Sequence, residues 1–269
     1  MDNLKKEFYL NATLLVGTII ILIYIVKIYT ADPIIRRRND FKPIETQSIR
    51  KVSFELSQIP VYIINMPNRI DRKEHMINLM NTLGFNNYTF VTPIPKDEAM
   101  KHPLMKRKKL HSSQASNTLT FMKILSENSK NQVNDKFFIM EDDIDIYYSK
   151  SNMTKIYNAA KNVNWDLLYF EFCFADCRNT LKLYPDLYKL YYNLCAGCIL
   201  YTNKAAEKLI SNFTGDVCAD EYYANMSKAG KIQSYGFPLF RQNPKFGSDL
   251  TGSFKNMVKN AFDPICRPY

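Results

Sequence analysis

Apolar residues fall into distinct patterns along the chain. The first is unbroken: Phe8 to Val26 reads FYLNATLLVGTIIILIYIV, nineteen residues without a charge, between Lys5-Lys6-Glu7 and Lys27. At about 1.5 Å per residue it is long enough for the roughly 30 Å hydrocarbon core of a bilayer. It exceeds the apolar stretch of a cleaved signal peptide, and IYTADPII after Lys27 is a poor cleavage site. An uncleaved N-terminal transmembrane helix, the anchor of a single-pass membrane protein, is expected within residues 1–30. The next stretch is polar, charged and punctuated by Pro33 and Pro43, and reads as a stem over 31–58.

Beyond it, short apolar runs alternate with helical periodicity. IPVYIINM (Ile59 to Met66) is near-continuous, as a strand buried on both faces would be. In PNRIDRKEHMINLMNTLGF, Ile70, Met76, Ile77, Met80 and Leu83 recur at helical spacing, and Gly84 stands where such a helix would end. YTFVTPI (Tyr88 to Ile94) is the next strand, and a helix is expected over Ser116 to Asn128. Strands KFFIMEDD (Lys136 to Asp143) and WDLLYFEF (Trp165 to Phe172) follow with a helix between them. Alternation of this kind predicts an α/β, doubly wound sheet in one domain over 59–269. Ligands of such sheets sit at the carboxyl ends of strands.

Chain length and charge narrow the function classes. At 269 residues and 46% hydrophobic content the chain can bury one sizeable core plus an appendage. The net charge of +10 comes largely from runs at Arg36-Arg37-Arg38 and Lys106-Arg107-Lys108-Lys109. Neither is interleaved with aromatics, and no helix-turn-helix, zinc-finger or RNA-binding signature accompanies them, so no nucleic-acid partner is expected. Anionic lipid or the phosphates of a nucleotide sugar suit this charge better. Lys27, Arg36, Arg37, Arg38 and Lys42 outnumber Lys5 and Lys6, which favours a cytosolic domain. Sequons at Asn87, Asn152, Asn212 and Asn225 favour a lumenal one in the secretory pathway or a viral or host membrane, so the side stays open.

The chemistry gathers at FIMEDDIDI (138–146). Glu141, Asp142, Asp143 and Asp145 end a buried strand, where like charges raise one another's pKa unless something positive lies between them. A divalent cation carrying a phosphate ligand relieves this, since Mg²⁺ and Mn²⁺ take oxygen ligands. The alternative is a solvated turn, where Asp and Glu are common. Asn65, Arg69 and Arg72 fall at another strand end on the same rim.

Six elements in order, YIINMPNRIDRKEHMINLMNTLGF, SNTLTFMKIL, FFIMEDDIDI, DLLYFEF, AGCILYTNKAAEKLI and ADEYYANM, resemble glycosyltransferase family 25, over roughly residues 59–250. The family holds lipooligosaccharide and procollagen galactosyltransferases. Its Ile-Asn-Leu and Arg-x-x-Arg pattern stands as Ile64-Asn65-Met66 with Arg69 and Arg72, its Glu-Asp-Asp as Glu141-Asp142-Asp143, and its later acidic site as Asp220-Glu221. Its Ser-His pair at a helix start is Ser116-Asn117, without the imidazole, and its Ala-Val-Asp-Gly is Thr92-Pro93-Ile94-Pro95.

The resemblance implies a GT-A-type, Rossmann-like domain. It would transfer a hexose, such as galactose or glucose, with inversion, from a nucleotide diphosphate sugar to a hydroxyl of a glycan or protein acceptor. It implies Mn²⁺ or Mg²⁺ at Asp142, Asp143 and Asp145, donor binding by Asn65, Arg69, Arg72 and Ser116, and a general base at Asp220 or Glu221. The competing role for Asp220 is helix capping. An alternative function is an inactive, membrane-anchored relative serving as a binding or virion-structural protein, which Asn117 favours and the intact Glu-Asp-Asp disfavours. A basic membrane-surface adaptor is a further one.

Cys173-x₃-Cys177 and Cys195-x₂-Cys198 mimic a zinc ribbon, but Cys198 lies in an apolar strand, so disulfides or buried thiols fit better. His75, His102 and His111 have no ligand partners at useful spacing and read as surface residues. Tyr188, Tyr191 and Tyr192 read as core packing.

Overall fold

Alternation within each central strand sends successive side chains to opposite faces of one sheet, and each face acquires its own core. The computed structural model describes residues 51–105, 110–131, 133–147, 151–175, 182–184 and 187–247. The expected anchor, the first part of the stem and both basic runs lie outside them. Among the described residues no helix is long and apolar enough to cross a membrane.

The strands are β1 (Val61–Ile64), β2 (Tyr88–Val91), β3 (Lys136–Glu141), β4 (Ile144–Ile146), β5 (Leu167–Glu171), β6 (Lys182–Tyr184), β7 (Leu187–Leu190), β8 (Cys198–Thr202) and β9 (Ser234–Gln242). They form one sheet in the order β2-β1-β3-β8-β5-β9-β7-β6, with β4 paired to β9. The sheet is mixed. β2, β1 and β3 are parallel, β8 runs antiparallel between β3 and β5, and β5 is again parallel to β9. Apolar runs predict strands without predicting their direction, which is why the reversal at β8 is not visible in the sequence. β1, β3, β5 and β9 therefore point the same way, and their carboxyl ends share one rim.

The helices are α1 (Phe54–Gln58), α2 (Ile70–Leu83), α3 (Lys96–Lys101), α4 (Ser112–Ser129), α5 (Met153–Ala160), α6 (Asn203–Asn212) and α7 (Ala219–Lys228). On one face, Val61, Ile63, Phe138, Met140, Leu168, Phe170 and Leu200 meet residues of α1, α2 and α5. On the other, Ile64, Phe137, Ile139, Leu167, Tyr169, Ile199 and Tyr201 meet α4, α6 and α7. This is the two-faced layering expected of an α/β domain.

Local signals explain most boundaries. Gly84 closes α2 with φ 81°, giving its N–H to the Met80 and Asn81 carbonyls, as the sequence predicts. Helix α4 starts four residues earlier than periodicity suggests, because His111 and Gln114 form a reciprocal capping box. Ser116 consequently lies inside the helix, not at its start.

The end of the segment assigned to the stem is integral to the domain. Ser53 caps α1, the Val52 N–H bonds the Leu83 carbonyl, and Leu56 is completely buried in the first core. Leu56→Ala should lower the unfolding free energy by roughly 2–5 kcal/mol, the usual cost of a buried leucine truncation. Denaturant titration would show it as a lower midpoint, and an unchanged midpoint would make α1 a dispensable tether.

Candidate functional site

The rim formed by the carboxyl ends of β1, β3 and β5 carries the polar residues that the sequence singles out. Strand β3 ends at Glu141, and Asp142-Asp143 make the turn into β4. Asp142 is buried and both its oxygens are engaged. Arg72 Nη1 approaches Oδ1 at 2.7 Å, and Asn65 Nδ2 donates to Oδ2 at 2.7 Å. Arg72 lies 3.4 Å from Asp143 as well, and its Nη2 donates to the carbonyls of Phe246 and Gly247 at 3.4 and 2.8 Å. Its carbon centre sits 5.9 Å from the Phe246 ring. One guanidinium thus binds the β3–β4 turn to the segment after β9.

Asn65 and Arg72 are at the rim as expected, but they point at Asp142 rather than outward. Arg69 is more exposed: it pairs with Asp71 at 2.8 Å and donates to the Phe246 carbonyl at 3.1 Å. His75 is a correction to its reading as a plain surface residue. It is half-buried, with Nε2 2.8 Å from the Ile144 carbonyl and its ring 4.9 Å from Phe246. A lone histidine on a polar helix face carries no sequence signal for this, since Phe246 is far along the chain.

Ser116 has a local duty. Its hydroxyl donates to the Ile94 carbonyl at 2.5 Å, while the Ile94 N–H donates to Thr120 Oγ1. Neighbouring Asn117 points into the rim and donates to Glu141 Oε1 at 3.2 Å. Gln242, at the end of β9, reaches the other Glu141 oxygen at 3.4 Å.

The three aspartates assigned to a metal do not come together as a ligand set. Asp142 is committed to Arg72 and Asn65, and Asp145 accepts from the Ile146 N–H and from Asn243 Nδ2. Among the described residues no three His, Cys, Asp or Glu side chains stand in a metal-holding arrangement. What gathers instead is a deeper group. Burial, then Asp143, Asp220 and Asp142, push the Glu141 carboxyl up to about 8. Glu171, at the end of β5, is raised well above the usual range by burial and by the charges of Glu141 and Asp143.

Glu171 is the site residue that sequence reasoning misses. It is 2% exposed, and its Oε2 makes no hydrogen bond of normal geometry among the described residues. The signal was present in DLLYFEF, where a single carboxylate interrupts an otherwise buried strand. The side chain fits because residue 197 is glycine: a Cβ there would lie 2.0 Å from Glu171 Oε2.

Asp220 and Glu221 open α7, but Cys218 is the N-cap and makes no side-chain cap bond, so Asp220 is not a cap. Asp220 Oδ1 accepts the N–H of Glu221 at 2.9 Å, and burial raises its pKa. Its charge contributes to raising Glu141. Tyr192 stands beside this pair, its phenol raised by burial and then by Glu221 and Asp220. Tyr188 is core, tilted against Phe237.

Cys173 and Cys195 form a disulfide across a separation of 22 residues, and Cys198 and Cys218 are free, which removes the zinc arrangement. Asn193 reinforces the tie. It accepts the Cys173 N–H at 3.0 Å and donates to the Glu171 and Cys195 carbonyls at 3.1 and 3.3 Å.

Two consequences are measurable. Arg72→Met removes the cation beside two buried carboxylates and should cost about 3–5 kcal/mol, whereas Arg72→Met combined with Asp142→Asn should recover much of it. Equal losses in both chemical denaturations would mean that Asp142 and Arg72 are not coupled. Glu141 has a folded pKa above its unfolded value, so the stability it contributes is present below about 4.5 and is lost as pH rises through about 8. Glu141→Gln should flatten that fall in unfolding midpoint; a parallel curve would contradict it.

No family model matches the chain, and no curated protein sequence matches it. Among solved structures, A197 from STIV is 9% identical with TM-score 0.38, covering 68% of this chain and 83% of that one. The inositol-1-phosphate CTP transferase from T. maritima is 12% identical with TM-score 0.37, covering 78% and 98%. Mouse xyloside xylosyltransferase 1 in its apo form is 10% identical with TM-score 0.37, covering 70% and 68%. None of these likenesses reaches a TM-score of 0.5, so function has to be drawn from the chain's own residues.

Proposed function

We propose that the rim performs glycosyl transfer, moving a hexosyl group from a nucleotide diphosphate sugar to a hydroxyl of a glycan or protein acceptor, with inversion. The observation that carries this reading is the convergence of Glu141 and Glu171, at the carboxyl ends of β3 and β5, with Asp143 of the β3–β4 turn beside the Arg72 guanidinium and with Asp220 opening α7. The ordered resemblance to glycosyltransferase family 25 supplies the reaction class.

The roles follow from position. Arg69, the more exposed of the two arginines, is suited to the departing diphosphate, where charge-assisted hydrogen bonds are strongest. Arg72 and Asn65 hold Asp142, so their contribution is to shape the β3–β4 turn. Asp220 takes the acceptor proton: burial raises its carboxyl pKa, which makes it a stronger base than an ordinary aspartate. Inversion needs one displacement, so the base and the departing diphosphate act on opposite faces of the sugar.

Of the carboxylates assigned to Mn²⁺ or Mg²⁺, Asp143 is the one whose charge bears on both Glu141 and Glu171, so a cation beside it relieves the most repulsion. An ion brought by the donor's diphosphate would be held through Asp143, and it would supply positive charge to the leaving group.

Asp220→Asn should cut turnover by roughly 10²–10⁴-fold with donor affinity almost unchanged, and Glu221→Gln should cost far less. Asp143→Asn should weaken donor binding in the presence of Mn²⁺, and chelation by EDTA should remove activity that added Mn²⁺ restores. Nucleotide-sugar hydrolysis and transfer assays across a donor panel measure all three. Wild-type turnover in both aspartate variants would leave the non-catalytic binding protein as the better account.

A further inference from the structure

The sequons and the disulfide are features that the rim's chemistry does not use, and they bear on the same question. Asn87 is exposed immediately before β2, which lies at the sheet's edge, and Thr89 of its sequon is exposed as well. Asn212 is the exposed last residue of α6, and Thr214 of its sequon is exposed beyond it. The other two are less open. Asn152 is half-buried and its side chain caps α5, while Ser227 of the Asn225 sequon is buried with its hydroxyl bonded to the Tyr223 carbonyl.

The folded positions tolerate a glycan. Asn87 Nδ2 donates to the Gln58 carbonyl at 3.1 Å, and Asn212 Nδ2 to the Lys208 carbonyl at 2.8 Å. A glycosylated amide keeps one N–H, so each carbonyl bond can persist, while the longer bond from Asn212 Nδ2 to Ser211 Oγ at 3.3 Å gives way. Independently, Cys173–Cys195 is a disulfide of the kind that persists in oxidising compartments and is rare in reducing ones.

We propose that this domain lies on the oxidising, glycan-adding side of a membrane and carries N-linked glycans at Asn87 and Asn212. This holds whichever reaction the rim performs. The basic residues after the apolar segment, Lys27 and Arg36 to Arg38, pull the other way, but long domains translocate largely regardless of flanking charge.

The chemistry balances with two co-reactants of the compartment. In glycan addition, Nδ2 displaces diphosphate from the anomeric carbon of a diphosphate-linked oligosaccharide. The N–C bond forms, the C–O bond breaks with its electron pair on the diphosphate, and the amide proton goes to solvent. In disulfide formation, the thiols of Cys173 and Cys195 give two protons and two electrons to an oxidised protein disulfide, which becomes a dithiol.

The test uses the full-length chain expressed in cells with an N-glycosylating secretory pathway. It should migrate slowly on a denaturing gel and collapse to one faster band with peptide N-glycosidase. Thr89→Ala and Thr214→Ala, which leave both asparagines in place, should each remove one step, and Asn87→Gln and Asn212→Gln should do the same. Non-reducing peptide mapping, with thiols alkylated at lysis, should recover Cys173 joined to Cys195. A single band unaffected by the glycosidase, or alkylated Cys173 and Cys195, overturns the compartment. A shift that survives both threonine variants overturns the assignment of the sites.

Discussion

The buried contact between Arg72 and the Asp142-Asp143 turn organises the rim. Three chain segments distant in sequence end there: α2 supplies the guanidinium, the β3–β4 turn the carboxylates, and the residues after β9 the carbonyls of Phe246 and Gly247. Charges withdrawn from water are costly unless each finds good partners, so the contact holds only if all three segments are in place. Asn65, the residue after β1, completes it. The neighbouring carboxyls Glu141 and Glu171 are then crowded beside an already neutralised pair. Burial and the charge of Asp143 therefore hold these two carboxyls toward their neutral form.

Much of this was legible in the sequence. The apolar runs place β1, β3, β5 and β8, the heptad-like spacing and Gly84 place α2, and the acidic end of β3 lies at a strand's carboxyl end as a ligand rim requires. Roles were harder to read than positions. Asp142 looks like a cation ligand because it stands among acids, but its partner Arg72 lies 70 residues away. Local sequence cannot show that two such residues meet. The same holds for His75 and Phe246, and for Glu171, whose neighbour Glu141 is brought near only by pairing through β8. The boundary of α4 was missed for a different reason: a capping box led by histidine departs from the usual Ser or Thr pattern.

Ser116 and Asn117 show how one helix position can separate from its neighbour. Ser116 turns toward the Ile94 carbonyl and locks the chain after β2, while Asn117 turns toward Glu141. An amide at 117 donates to the carboxyl without titrating near neutrality, as an imidazole would. Asparagine at 117 therefore supplies a hydrogen bond to Glu141 without placing a pH-dependent charge on the rim.

The antiparallel insertion of β8 has a consequence for how the molecule assembles. β3 and β5 are close in sequence yet do not pair; each must wait for a strand that begins at Cys198, and β5 must also meet β9, which begins at Ser234. During synthesis, the first half of the domain therefore emerges with its central strands unpaired on one edge. Loop-closure entropy makes such distant pairings slow, and exposed strand edges invite association with other chains. The rim is complete only once β9 is laid down, because its last tie runs from Arg72 to Phe246 and Gly247. Only the Arg72–Asp142–Asn65 part of the rim lies within the first half of the domain; its ties to Phe246 and Gly247 wait for the last strand.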